Sequence, residues 1–130
     1  MVMLVTLPVA AEDVESRASS FFMSSNVYLY KTSSIQFQAW FTVVAVDGMD
    51  ELGASTIKIQ RSSDGTSWTT MKTYTKANYP ELICEDTSAH GACVTYAGTP
   101  GYYYRAKITL YAKDSSGIGE MTRYTAKMQL

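Results

Sequence analysis

The residues best suited to chemistry lie between the chain's two cysteines, Cys84 and Cys93, a segment that also holds its single histidine, His90. The intervening residues 85–92 are polar and turn-prone, which predicts a loop closed by a disulfide in an oxidising compartment. Closing a loop of about ten residues would stabilise the fold by about 2.5–3 kcal/mol. Two free thiols are the alternative if the chain stays in the cytosol.

Two sets of residues carry side chains that metals bind: Cys84, Asp86, His90 and Cys93 for zinc, and Asp47, Asp50 and Glu51 for calcium. Structural zinc sites favour C-x2-4-C and H-x3-5-H pairs, and the chain has neither. The three acidic residues do not follow the spacing of a calcium-binding loop. The sequence therefore predicts no metal and no cofactor.

Catalysis near neutral pH most often needs a histidine, and His90 stands beside Gly91 in the predicted loop, where an exposed polar role is the simpler interpretation. Glu85 and Asp86 are adjacent, so on a strand their carboxylates would face opposite ways. No G-x-S-x-G elbow marks a nucleophilic serine. We predict that the protein is not an enzyme and name no catalytic residue.

Three aromatic residues, Trp40, Tyr103 and Tyr111, fall on the strand faces opposite the predicted core. Planar rings exposed on a sheet are typical of surfaces that bind a glycan or a protein. The structural alternative is that such rings form cross-strand pairs, each worth roughly 0.2–1 kcal/mol to the sheet. They are our candidate binding surface, with an unidentified protein or glycan as the partner.

Strict alternation of apolar and polar residues predicts the strands that position these side chains. It runs from Ile35 to Ala45 and again from Tyr102 to Ala112, whereas residues 47–53 indicate a connection with room for one helical turn. Asp64-Gly65 predicts a tight hairpin with both residues at positive φ. About seven strands and no convincing helix predict an all-β antiparallel sandwich, a single domain over residues 27–130.

The N-terminal region has a different composition. Residues 1–11 are uncharged and end in small residues, which is typical of the later part of a signal peptide, although the basic segment that should precede it is missing. Residues 12–26 are polar and serine-rich, and we interpret them as a flexible leader. The expected location is therefore secreted, with an N-terminal edge strand as the alternative for the first residues.

The overall composition excludes several classes of protein. The chain has 130 residues, 46% of them hydrophobic, and a net charge of −1. That balance is too apolar for intrinsic disorder and lacks the basic field needed for binding a nucleic acid. No run reaches the roughly 20 apolar residues of a transmembrane segment. A globular domain of about this length buries a sizeable core by itself.

The strand from Gly101 to Leu110, with Tyr102 or Tyr104 near its start and a hairpin after it, resembles strands F and G of immunoglobulin-like and fibronectin type III sandwiches. In those folds a tyrosine at this place hydrogen-bonds back to the chain. The hairpin from Ile57 to Trp68 resembles the same modules. The resemblance implies an immunoglobulin-like sandwich.

A second resemblance rests on the segments Met49–Ser55, Ser62–Trp68, Val94–Gly101 and Tyr104–Lys113. Together they resemble a family of small secreted proteins of Gram-positive bacteria that carries a domain of unknown function. This resemblance covers roughly residues 25–130 and implies export, without catalytic residues. We therefore expect a secreted binding module at the cell or host surface, the alternative being a secreted bacteriocin-like or toxin-like effector that acts on membranes or competing cells.

Overall fold

The computed structural model describes residues 20–130. The predicted signal-peptide-like segment 1–11 and residues 12–19 of the predicted leader lie outside them. The described chain forms seven strands and one short 3-10 turn, Pro80–Leu82. The strands are β1 (Phe22–Lys31), β2 (Gln36–Ser62), β3 (Thr69–Thr75), β4 (Ile83–Ala97), β5 (Tyr103–Asp114), β6 (Gly117–Tyr124) and β7 (Met128–Gln129).

Strand β2 is the central strand of the fold, because four other strands pair with it, all antiparallel. Its first part, residues 36–45, lies between β1 and β4, and its second part, residues 56–62, lies between β5 and β3. The strands β6 and β7 then pair with the far side of β5. All seven strands belong to one sheet, which curls into a half-barrel.

Strand β2 continues through residues 47–53, where we predicted a connection, and that prediction is wrong. Met49 and Leu52 are buried, although the two-residue period is interrupted between Val44 and Met49 by an irregular register with β4. At Gly53 (φ 156°) a Cβ atom would overlap the carbonyl oxygen of Leu82. Glycine therefore allows the 3-10 turn to approach the backbone of β2 closely.

The core lies on the inner side of the curled sheet. Alternation over 37–45 and 104–110 is confirmed, but Tyr111 is buried although its position predicts the outer face. Ile35 precedes β2 and is 52% exposed. The ring centroids of Phe37, on the first part of β2, and Tyr104, on β5 opposite the second part, lie 5.1 Å apart. The two parts of β2 therefore share one core. The largest fully buried side chains include Tyr104, Phe37, Phe41, Leu52, Ile57, Ile59, Leu82, Ile108 and Leu110.

Two side-chain hydrogen bonds supplement the backbone pairing, one across the sheet and one within the connection from β4 to β5. Arg123 on β6 donates from Nη1 to Ser25 Oγ on β1 at 2.6 Å, which links strands that are not paired through their backbones. The hydroxyl of Tyr104 accepts a hydrogen bond from the backbone N–H of Thr99 at 2.8 Å. Of the two tyrosines proposed for such a bond, Tyr104 is the one that makes it.

The all-β, antiparallel prediction is confirmed, and the described strands number seven. The prediction of a sandwich had two sheets packed face to face, whereas the structure has one sheet that curls over the core. Strand β1 starts at Phe22, so residues 22–26 of the predicted leader belong to the sheet. Within residues 20–130, no helix has the length and apolar character to cross a bilayer.

Candidate functional site

Cys84 and Cys93 are both free, so the predicted disulfide is wrong. Both lie on β4, which is extended from residue 83 to residue 97 because it pairs with β2 instead of forming a loop. Nine residues of strand separate their Cα atoms by about 25–30 Å. A disulfide needs Cα atoms within about 7 Å of each other. Burial raises the pKa of the Cys93 thiol above its ordinary value.

His90 connects β4 to the 3-10 turn. Its Nε2 atom lies 2.9 Å from the carbonyl oxygen of Glu81, and because a carbonyl only accepts, this nitrogen donates. The ring also meets Phe41 edge-on, with centroids 5.9 Å apart. In the described part of the chain, His, Cys, Asp and Glu side chains do not gather in any group of three or more that could hold a metal ion.

The three aromatic residues predicted as a binding surface lie in three separate places. Trp40 pairs with Tyr28 on β1, whereas Tyr103 pairs with Ser62 at the far end of β2. Tyr111 is only 4% exposed, so its assignment to a surface is wrong. The ammonium group of Lys76, just after β3, lies 4.0 Å from the Tyr111 ring centroid and covers it.

Trp40 belongs to what we call the aromatic face, formed by Tyr28, Tyr30, Gln38 and Trp40 on the outer side of β1 and β2. The rings of Tyr28 and Trp40 are nearly parallel, 8° apart, with centroids 6.2 Å apart. Trp40 donates from Nε1 to Gln38 Oε1 at 2.9 Å, which fixes the indole. Sequence alone does not identify Tyr28 and Tyr30, although their period-two spacing in residues 27–31 is a usable signal.

The aromatic face has the chemistry of a shallow binding groove. Its four residues carry no formal charge and line a groove of about 210 Å³. Tyr28 is 39% exposed and Tyr30 is 58% exposed, so their rings are open to a ligand. The tyrosine hydroxyls and the Gln38 amide place hydrogen-bonding groups beside those rings. Such a surface can stack an apolar ring face and bond to hydroxyl groups at its edge.

A second surface, which we call the basic face, covers the outer side of the second part of β2 and the neighbouring strands. Its cations are Lys58, Arg105, Lys107 and Lys127, and its rings are those of Trp68, Tyr103 and Tyr124. The Arg105 guanidinium carbon lies 4.5 Å from the ring centroids of both Trp68 and Tyr124. Its Nε also donates to Gln60 Oε1 at 2.7 Å. Arg105 is therefore held in place from three sides.

The lysines of the basic face are less constrained than Arg105. Lys58 and Lys107 are directly opposite each other in the β2–β5 pair. Lys127 lies 5.6 Å from the Tyr103 ring centroid and donates to the Gly65 carbonyl at 3.4 Å. Among residues 20–130 the one ion pair joins Lys76 and Glu51, 3.8 Å apart. None of the four cations of the basic face is thus neutralised by a described carboxylate.

Asp64 organises the loop that carries Trp68. Its Oδ1 atom accepts hydrogen bonds from the backbone N–H groups of Thr66 (2.9 Å) and Ser67 (3.0 Å) and from Ser62 Oγ (2.8 Å). These bonds, the one from Ser67 first, hold the pKa of the carboxyl well below its ordinary value of 3.8. The predicted hairpin is present but longer than expected, and Gly65 alone of the predicted pair has a positive φ, 81°.

The chain has a structural likeness but no match in sequence. No protein-family model and no curated protein matches it. A similar solved structure is the solution structure of a late embryogenesis abundant (LEA) protein, which is 9% identical to this chain with a TM-score of 0.49. The match covers 98% of this chain and 87% of the LEA protein.

Proposed function

We propose that the protein is a secreted, non-enzymatic binding module at the cell or host surface, and that its aromatic face holds a glycan. The observation that carries the proposal is the parallel Tyr28–Trp40 pair, in which Tyr28 is exposed and Trp40 is half-buried beside the Gln38 amide. The resemblance of residues 25–130 to a family of small secreted proteins supports the location.

The arrangement of the aromatic face suits a sugar better than a charged ligand. A sugar ring has an apolar C–H face that packs on an aromatic ring, and hydroxyls at its rim that need hydrogen-bond partners. The face offers both, since the exposed Tyr28 and Tyr30 rings lie beside the Gln38 amide. The bond from Trp40 to Gln38 orders this surface in advance, which lowers the entropy cost of binding.

Two substitutions make the proposal testable. Trp68→Phe leaves Trp40 as the only tryptophan, so indole fluorescence then reports on the aromatic face. In that background, a neutral glycan selected from an array should change the fluorescence saturably. Tyr30→Ala should weaken this binding by about tenfold, the usual loss when a central aromatic contact is truncated.

The matched control is Tyr124→Ala, because Tyr124 has an exposure of 49% against 58% for Tyr30 but lies on the basic face. It should leave glycan affinity within twofold of the parent. Equal losses for the two variants, or no saturable glycan binding at all, would reject the proposal. Growth inhibition or vesicle leakage that persists unchanged in Tyr30→Ala would favour the effector alternative.

A further inference from the structure

We propose that the basic face is a second binding site, and that it takes an acidic polysaccharide bearing carboxylate or sulfate groups. The site is distinct from the aromatic face, because it lies on the second part of β2 and involves none of the same side chains. This proposal does not depend on binding of a neutral glycan to the aromatic face. An experiment can therefore reject one site without rejecting the other.

Like charges lie side by side on the basic face. Lys58 and Lys107 are directly opposite each other in an antiparallel pair, and Arg105 is two residues from Lys107 on the same face of β5. Like charges in such positions destabilise a sheet. No described carboxylate forms an ion pair with any of them, and Arg105 and Lys107 contact aromatic rings instead. An anionic ligand would neutralise these charges.

The spacing of these cations suits a polymer. Lys58 and Lys107 lie on neighbouring strands, with Cα atoms about 5 Å apart across the sheet. The Cα atoms of Arg105 and Lys107 are about 7 Å apart along β5. Lys127 adds a further cation beyond Arg105, near Tyr103. This ladder matches a polymer with an anionic group on successive units better than a single small anion.

The aromatic rings of the basic face are already occupied. Arg105 lies over both Trp68 and Tyr124, and Lys127 lies near the Tyr103 ring. Single-stranded nucleic acids bind largely by stacking bases on free rings. Here the rings instead position the cations, so the surface presents charge and not stacking platforms. That arrangement favours an acidic polysaccharide over a nucleic acid.

Asp64, four residues before Trp68, does not close the site. The Asp64 carboxylate is turned into its own loop, where it accepts hydrogen bonds from Ser62, Thr66 and Ser67. It therefore shapes the loop that presents Trp68 instead of pairing with a lysine. The cations remain available to a ligand.

The test compares two double variants that remove the same charge from different places. Lys58→Gln/Lys107→Gln changes the basic face, and Lys31→Gln/Lys113→Gln is the control, since Lys31 and Lys113 are exposed residues outside it. Binding to heparin and to polygalacturonate is measured by titration at low and at physiological salt. Circular dichroism confirms that each variant is folded.

The expected result is that the basic-face variant binds both polysaccharides about tenfold more weakly than wild type at low salt, each lysine contributing on the order of a factor of three. The control should lose less than twofold. Binding should also weaken as salt rises, and Tyr30→Ala should not affect it.

Three results would overturn the proposal. The first is a wild-type protein that binds neither polysaccharide. The second is an equal loss of affinity in the two double variants, which would indicate only an effect of net charge. The third is tighter binding of oligothymidylate or phosphatidylglycerol vesicles than of the polysaccharides at equal salt, which would assign the face to a nucleic acid or a membrane.

Discussion

The two outer faces of the sheet share the strand β2 but use their aromatic rings differently. On the aromatic face, Tyr28 and Trp40 contact each other and solvent, and the nearest polar partner is an uncharged amide. On the basic face, Trp68 and Tyr124 contact the Arg105 guanidinium. The same residue types thus leave rings free for a ligand in one place and hold cations in the other.

This difference depends on the irregular middle of β2. The first part of the strand pairs with β1 and β4, and the second part with β5 and β3, so the two faces have different neighbours. One continuous strand therefore presents two chemically unlike surfaces. Changes to the middle of β2 should affect both faces, whereas changes within a face should stay local.

The largest effect is expected at Gly53, where the backbone of Leu82 approaches. Gly53→Ala would place a Cβ atom onto the Leu82 carbonyl oxygen at a positive φ. We expect a loss of about 3 kcal/mol in the free energy of unfolding, from strain and overpacking together. Urea denaturation followed by circular dichroism measures it.

Gly101→Ala is the matched control for this prediction. Gly101 has a φ of 95°, but a Cβ atom added there would meet nothing within 4 Å beyond its chain neighbours. The substitution should cost only about 1–2 kcal/mol, the backbone strain alone. If both variants lost the same stability, the close approach at Gly53 would not be what constrains the middle of β2.

A smaller effect is expected where Arg105 contacts its rings. Arg105→Gln and Trp68→Ala should show a coupling of about 0.5–1 kcal/mol in a double-mutant cycle on the free energy of unfolding, the usual range for a partly exposed cation–π contact. Arg105 and Trp40 lie on different faces, so the same cycle on that pair should be additive. Coupling between Arg105 and Trp40 would contradict the separation of the two faces.

Side-chain alternation predicts the regular parts of the fold well. Phe37 to Ala45 and Tyr104 to Leu110 alternate in burial, and both stretches are strands with the predicted side buried. This works because a strand with one face in the core forces apolar residues to every second position. The prediction fails at Ile35, which continues the pattern but lies just before β2.

The failures come from non-local pairing. Residues 47–53 and 85–92 have the polarity and the glycines of loops, yet both lie in strands. Residues 49–53 pair with residues 83–87 of β4 and, from Glu51 onward, also with β5, whereas residues 89–92 pair with residues 41–44 of β2. Backbone hydrogen bonds to a neighbouring strand override local turn propensity. The predicted disulfide depended on residues 85–92 forming a loop, so it failed together with that prediction.

The candidate sites were only partly predictable for the same reason. Trp40 could be placed on the outer face from its own strand, but its partner Tyr28 follows only from the register of β1 against β2. Arg105, Trp68 and Tyr124 come from three different parts of the chain. Tyr111 has the spacing of an exposed residue, but Lys76 covers it from outside its own strand.

The smallest effect is expected for the like-charged pair on the basic face. Lys107→Gln removes the repulsion with Lys58 and should raise the free energy of unfolding by about 0.3 kcal/mol at low salt. Added salt screens exposed charges, so it should stabilise wild type more than the variant and bring their stabilities together. Chemical denaturation with urea, which carries no charge, measures both quantities.

Lys31→Gln is the control, because Lys31 is an exposed residue on β1, where its cross-strand partner is Phe37 and not another lysine. It should leave stability and its salt dependence unchanged. Loss of stability in Lys107→Gln would show that the contact of Lys107 with the Tyr124 ring, at 5.9 Å, outweighs the repulsion. A gain in stability together with weaker polysaccharide binding is the stronger result, because a charge that costs stability and supports binding is what a functional site requires.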